Sequence, residues 1–434
     1  MKRQVLTLSR NLLVVFVILM VFACISFAGD SSVQVIHRFQ GPDGANPYGN
    51  LIWDQAGNLY GTTEYMGTSF YGTVFQLAPP ANVDDPWTLT TLHSFKDHGD
   101  GARPTDGLLL DKQGNLYGTT SDSDAGGYGE IFELSPPAVK GGAWTETVLH
   151  HFRGETDGAY PQGGLISDEQ GNLYGATGTS VFEMSPPALA GEAWTFILLH
   201  HFHSEGADGW SAQAGLVRDG AGNLYGSTIW GGYEGNPDCG EIGCGTVFEV
   251  SPPAISGGEW TEQILHYFGR SSDDGLNPES GLALDSNGNL YGSTYSGGKG
   301  FGGIAYRLAP PSQPGGVWTE TVIHDFSYTR LDGAAPIATM ILDPEGNLYG
   351  TTMLGGDSCY IFGEFYGCGT AYKLSPEDKS GTVWNESVLY FFQPGPGNAR
   401  QSAASLLFDN FGNLYGTTVY GGDDEKGTIF RIVP

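Results

Sequence analysis

The pentapeptide Gly-Asn-Leu-Tyr-Gly occurs seven times in 434 residues, with its asparagine at Asn58, Asn115, Asn172, Asn223, Asn289, Asn347 and Asn413. The successive spacings are 57, 57, 51, 66, 58 and 66 residues. A period of that size restricts the chain to an array or ring of like units, each burying its apolar face against its neighbours. In the second unit, residues 107–110, 115–120, 130–134 and 144–150 read as four short strands. They alternate, are rich in β-branched and aromatic residues, and are separated by turn residues. The 68 glycines and 24 prolines fit many tight turns and argue against a helical fold. The pattern predicts an all-β chain, a seven-bladed β-propeller of four-stranded blades.

The two ends support closure of the ring. The last unit finishes its third strand at 428–432 and lacks the Trp-bearing fourth strand, while Val33–Phe39 carries the His-x-Phe signature of the other fourth strands. An N-terminal strand that completes the last blade would pair the edges that an open ring leaves exposed.

The repeat resembles the GloVer tandem repeat of "choice-of-anchor" bacterial surface proteins. The likeness rests on Asp-Gly-Ala followed by Pro, on Asp-x-x-Gly-Asn-Leu-Tyr-Gly-Thr-Thr and on Gly-Thr-Val-Phe-x-Leu, and runs from Val33 to Val433. It implies an exported, surface-associated protein and brings no catalytic residues with it. The variable C-terminal anchor of that family is not found in this sequence. More distantly, Asp-x-x-Gly-Asn-Leu-Tyr is similar to the core of NHL-type and lactonase-type propellers.

Lys2, Arg3 and Arg10 ahead of the apolar run Leu12–Ala23 predict a signal peptide over residues 1–28, with 29–434 as one propeller domain. Cleavage after Ala28 is the first expectation; Val21-Phe22-Ala23-Cys24 offers a lipoprotein alternative, in which a lipidated Cys24 would be the sole membrane contact. Export suits the remaining cysteines, which read as two loop-stapling disulfides, Cys239 with Cys244 and Cys359 with Cys368. A net charge of −29 removes nucleic acid as a partner. The expected partners are an extracellular glycan or protein, and the expected state is a monomer.

Three residue series recur. Asp54, Asp111, Asp168, Asp219, Asp285, Asp343 and Asp409 precede each repeated Asn by four and predict hairpin turns. His37, His93, His150, His200, His266 and His324, with Tyr390 seventh, stand two residues before a Phe on each fourth strand. They are expected to pack and to hydrogen-bond locally, because equivalent positions of different blades lie too far apart to share a metal. Trp87, Trp144, Trp194, Trp260, Trp318 and Trp384 are expected to pack the blades. The third series is Asp43, Asp100, Asp157, Asp208, Asp274 and Asp332, with Asn398 as the seventh, in the loops that lead into each first strand. These carboxylates either close turns or bind a ligand or cation, calcium being one choice; no cofactor is required.

The same face would carry Tyr128, Trp230, Tyr233, Tyr420 and the stapled loops, so a site is expected there, near the channel mouth. Asp238, Glu241, Asp357 and Glu364 in the stapled insertions, and Tyr390, Asn398 and Ser402 in the last unit, depart from the repeat. No linear catalytic motif is present. The leading reading is a non-enzymatic binding module for a glycan, peptide or cation; the alternative is a metal-dependent hydrolase or lactonase with carboxylates at the channel mouth. A structural spacer is a third.

Overall fold

The computed structural model describes residues 32–433 apart from short stretches at 83–84, 97–98, 124–126, 155, 190, 204–207, 233–238, 241, 256, 314, 357–358, 362–363 and 379–380. The expected signal peptide, its cleavage site and Cys24 lie outside the described residues. Seven four-stranded antiparallel sheets form the blades of a β-propeller. Blade 1 comprises Ile52–Trp53, Leu59–Thr63, Thr73–Ala78 and Thr88–Ser94. The fourth strands of blades 2 to 6 are Thr145–His151, Thr195–His201, Thr261–Tyr267, Thr319–Ser327 and Trp384–Phe391. Blade 7 takes its fourth strand from Ser32–Arg38, which pairs with Thr428–Val433 in the register Ser32 to Val433. The ring closes as the sequence predicts.

The repeated residues show why each blade folds alike. In every Asp-x-x-Gly turn one carboxylate oxygen accepts backbone N–H bonds; in blade 1 these come from Ala56 (2.9 Å) and Asn58 (2.8 Å). The other oxygen takes the Asn58 amide at 2.7 Å and the Tyr60 hydroxyl at 3.1 Å. The glycine before each Asn, such as Gly57 at φ 84°, turns the chain where a Cβ would be strained. The last glycine of the pentapeptide serves packing instead, since a Cβ on Gly118 would lie 2.6 Å from Phe132 Cζ and 3.0 Å from Leu108 Cδ2. Its absence lets a fully buried phenylalanine of the third strand cross the second strand.

The core sits between blades. Phe95 of blade 1 clusters with Leu108, Leu116 and Phe132 of blade 2, and Trp–Tyr contacts hold the outer ring across five seams. Trp194, Trp260, Trp318 and Trp384 each pack on the pentapeptide Tyr of the preceding blade, Tyr117, Tyr174, Tyr225 and Tyr291, at 5.8–6.4 Å. Trp87 meets Tyr415 of blade 7 in the same way. The tryptophans are therefore packing residues.

In each fourth strand a β-bulge falls immediately before the His or Tyr position, and the bulged residue is always Leu or Ile, as at Leu149 between Val148 and His150. Bulges re-aim the side chains that follow them. Here the imidazole meets the edge of the Phe two residues on, at 4.5–5.1 Å in six blades.

Candidate ligand site at the channel mouth

Each loop from a fourth strand to the next first strand passes through a left-handed residue that is not glycine: Asn46, Arg103, Tyr160, Ser211, Asn277, Ala335 and Gln401, with φ between 54° and 66°. All seven stand three residues after the Asp or Asn398 of the loop series. Hydrogen bonds on both sides hold this conformation. Arg103 N donates to Tyr71 O of the preceding blade at 2.9 Å, and Arg103 O accepts from Ser121 N of its own blade at 3.0 Å. The loops between second and third strands thus emerge on the same face as these inter-blade loops. The short pairs Gly209–Trp210 with Trp230–Gly231 and Ala399–Arg400 with Tyr420–Gly421 show the same junction.

Past the left-handed residue the chain turns down the central channel. Five residues after the loop Asp or Asn398, the seven blades present Tyr48, Thr105, Gln162, Gln213, Glu279, Ile337 and Ala403. All seven line one cavity of about 610 Å³, together with Glu64, Tyr65, Arg103, Asp106 and Tyr420. A cavity that draws the same repeat position from every blade lies on the ring axis, and its size is that of a small-molecule site. The repeat is broken here, since no two blades other than the third and fourth supply the same residue.

The cavity has a fixed wall and a responsive one. Asp106 receives hydrogen bonds from Asn50 Nδ2 at 3.1 Å and from the backbone amides of Gly107 and Gly164. Asn50 Oδ1 in turn accepts from Ser405 N at 2.7 Å, so blades 7, 1, 2 and 3 are linked around the channel. Burial raises the Asp106 carboxyl, against the pull of those donors. On the far side, burial alone pushes Glu279 up to about 7. Burial also raises Glu64, with Tyr65 and the Arg103 guanidinium working the other way. Arg103 lies over the Tyr65 ring at 5.4 Å, and Arg400 over Tyr420 at 5.3 Å.

The loop carboxylates occupy a different place. Each Asp accepts a backbone N–H that closes its own turn: Gln40 N at 2.8 Å for Asp43, Lys96 N at 2.9 Å for Asp100, Arg153 N at 2.7 Å for Asp157. His203 N, Arg270 N and Ser327 N, each at 2.9 Å, do so for Asp208, Asp274 and Asp332. Each Asp also faces the His of the fourth strand just before it, at 2.9 Å for His37–Asp43 and 3.1 Å for His150–Asp157. The other four pairs stand at 3.3–3.7 Å. The six aspartates form six separate His–Asp pairs, and none of them lines the channel cavity. Burial depresses the His93 and His150 imidazoles. For Asp43 burial acts upward, but the His37 hydrogen bond and the Gln40 amide outweigh it and hold the carboxyl low.

Cys239–Cys244 and Cys359–Cys368 are disulfide-bonded as the spacing predicts. Tyr128 meets Tyr160 edge-on at 5.7 Å, and Trp230 lies 6.3 Å from Trp210. Tyr233, Asp238, Glu241 and Asp357 lie outside the described residues, as does the side chain of Glu364. Sequence reasoning sought departures from the repeat in the insertions and in the last unit, at Tyr390, Asn398 and Ser402, and missed the channel positions. Their signal was a varied column just after the repeated loop residues, and only its convergence on one cavity sets it apart from the equally varied turn position at Gln55 to Asn410.

The Gloeobacter/Verrucomicrobia repeat model matches residues 23–181 and 178–360. No curated protein matches the chain in sequence. Among solved structures, a Bacteroides uniformis protein provisionally named a 6-phosphogluconolactonase superposes with a TM-score of 0.50 at 14% identity, over 79% of this chain and 84% of its own. A gluconolactonase from Xanthomonas campestris gives 0.41 at 13%, over 93% and 90%. A Trichoderma reesei carbohydrate-active enzyme of family AA12 gives 0.45 at 11%, over 94% and 96%. At these identities the first likeness speaks for the propeller fold alone.

Proposed function

We propose, given that this chain belongs to the Gloeobacter/Verrucomicrobia repeat family, that it is an exported propeller that binds a polar, uncharged ligand of the glycan class at its channel mouth. The observation that carries the reading is the break in the repeat at the channel, where seven blades place mostly unlike side chains around one cavity. The exposed position after each turn Asp, Gln55 to Asn410, varies as much, but its side chains stand in separate turns, whereas these converge on one cavity. The lining supports hydroxyl recognition, with the amides of Gln162, Gln213 and Asn46 and the aromatic faces of Tyr48, Tyr65 and Tyr420. The overall charge of −29 disfavours an anionic ligand. Export is supported by the apolar N-terminal run and by two disulfides in local loops.

A hydrolytic reading draws on one observation. A glutamate held near 7 in a cavity matches what a general acid or base requires. One experiment separates the two. A panel of neutral oligosaccharides is screened by thermal shift against the wild-type protein, Gln162→Ala and Tyr420→Ala, and hits are incubated and analysed for released products. A saccharide that stabilises only the wild type supports the binding module, and product formation abolished in Glu279→Gln supports the hydrolase. Stabilisation that survives both mouth substitutions would move the ligand elsewhere and end the proposal.

A further inference from the structure

The six His–Asp pairs are not alike, and the difference follows the blade that comes next. Two residues after the fourth-strand Trp stands Glu146 in blade 2, Glu262 in blade 4, Glu320 in blade 5 and Glu386 in blade 6, but Leu89 in blade 1 and Phe196 in blade 3. Where the next blade supplies Leu89 or Phe196, the pair closes to hydrogen-bond length, 2.9 Å for His37–Asp43 and 3.1 Å for His150–Asp157. Where it supplies Glu, the pair opens to 3.3–3.7 Å. His266 Nε2 then lies 3.6 Å from Asp274 and 3.8 Å from Glu320, and His324 Nε2 lies 3.3 Å from Asp332 and 3.7 Å from Glu386.

At three seams the His, Asp and Glu ligand atoms all fall within 4.8 Å of one another: His200–Asp208–Glu262, His266–Asp274–Glu320 and His324–Asp332–Glu386. These separations are long for hydrogen bonds. The His–Asp and His–Glu separations of 3.3–3.8 Å are close to those of atoms sharing one ion, since two ligands at about 2.1 Å in tetrahedral array stand about 3.4 Å apart. His200 Nε2, His266 Nε2 and the Oε1 atoms of Glu262, Glu320 and Glu386 are buried and make no hydrogen bond; the same is true of His93 Nε2 and Glu146 Oε1, at a seam whose ligand atoms do not gather as closely. Beside two of the seams a completely buried tyrosine, Tyr306 or Tyr372, also has an unmatched hydroxyl. Tyr306 feels the charges of Glu320 and Asp274, and Tyr372 that of Glu386. The remaining blades have Phe at this position. Buried polar atoms without partners are costly and call for an explanation.

We infer that these three seams are divalent transition-metal sites of the zinc type, each joining a His and an Asp of one blade to a Glu of the next. Two carboxylates and a neutral imidazole balance a divalent charge to zero, and the imidazole nitrogen favours zinc over calcium or magnesium. The backbone amides that hold Asp208, Asp274 and Asp332 fix the orientation of the ligand carboxylate. Three protein ligands leave a fourth position for water, and the ion ties adjacent outer strands together. The objection that equivalent positions cannot share a metal does not apply, because each site is built from three different positions on two blades.

The test uses the purified protein stripped with EDTA and titrated with Zn²⁺. Three zinc ions per chain should remain after gel filtration, with a melting temperature that rises and then saturates. The variant Glu262→Gln with Glu320→Gln and Glu386→Gln should retain no zinc and show no rise. Conversely Phe196→Glu, which places a carboxylate beside His150 and Asp157, should raise the count to four. Co²⁺ added to the wild-type protein should give a visible absorption band of the low-symmetry nitrogen and oxygen type, which reads the sites even if the triple variant does not fold. Failure of the wild type to bind zinc, undiminished binding by the folded triple variant, an unchanged count in Phe196→Glu, or a cobalt spectrum like that of the hydrated ion would each overturn the inference.

Discussion

Glu279 gives a stability prediction whose sign depends on pH. Its carboxyl is pushed from the ordinary value of 4.5 up to about 7 by burial alone. Below pH 4.5 the group is protonated in both folded and unfolded chains, and the fold retains its full stability. Between 4.5 and 7 the unfolded chain ionises first, so stability is lost as pH rises, at about 1.4 kcal/mol per pH unit. Above 7 both states are ionised and the loss levels off at about 3 kcal/mol. Glu279→Gln keeps the shape and removes the ionisation. The variant should match the wild type at pH 4 and exceed it by about 3 kcal/mol at pH 8.5. Guanidinium unfolding followed by tryptophan fluorescence at both pH values measures this as a shift in midpoint with unchanged slope. An equal effect at both pH values, or a loss at pH 8.5, would refute the reasoning, because it would mean that the carboxylate has a favourable partner in the folded state. A residue that weakens the fold at neutral pH while facing a cavity is the kind that function retains.

Gly118→Ala should cost about 1–3 kcal/mol by overpacking, since the new Cβ meets Phe132 and Leu108; adding Phe132→Leu should recover part of the loss, measured as a double-mutant cycle in denaturant. The turn aspartates should make the protein acid-sensitive. For Asp54, Asp285, Asp343 and Asp409 burial acts upward, but hydrogen bonds from the following Asn and turn amides outweigh it and hold each carboxyl low. Their contribution is present above about pH 4 and lost as pH falls through the lowered values, so Tm should drop between pH 5 and pH 3, and less so in Asp54→Asn. Cys359→Ser with Cys368→Ser should cost about 2–3 kcal/mol through loop entropy, seen as a lower Tm; an unaltered Tm would make the bridge dispensable.

Most of the fold was legible in the sequence because seven copies of one unit report the same physics seven times. Val33–Phe39 could be assigned to the last blade by His37 and Phe39 alone. The site was less legible because attention to what repeats hides what varies. Glu279 stands where the other blades have Tyr, Thr, Gln, Ile or Ala, and Asp106 where they have Gly, Ala or Ser, and only the channel geometry shows that these positions meet. The His–Asp contacts were within reach, since the two series run together at separations of six to eight residues from His37–Asp43 to His324–Asp332. The left-handed residues were not. Arg103 and Ala335 have no local preference for that conformation, and bonds from two blades impose it.

Pairing of Ser32 with Val433 places both ends of the described chain at one edge of one sheet. Because the two strands run antiparallel, tension applied between those ends would open their hydrogen bonds one at a time, as a zipper, rather than loading them all in shear. The other six sheets would bear no force until that seam had parted. The propeller thus has a designated mechanical weak point, and an attachment at one end only would leave it unstressed.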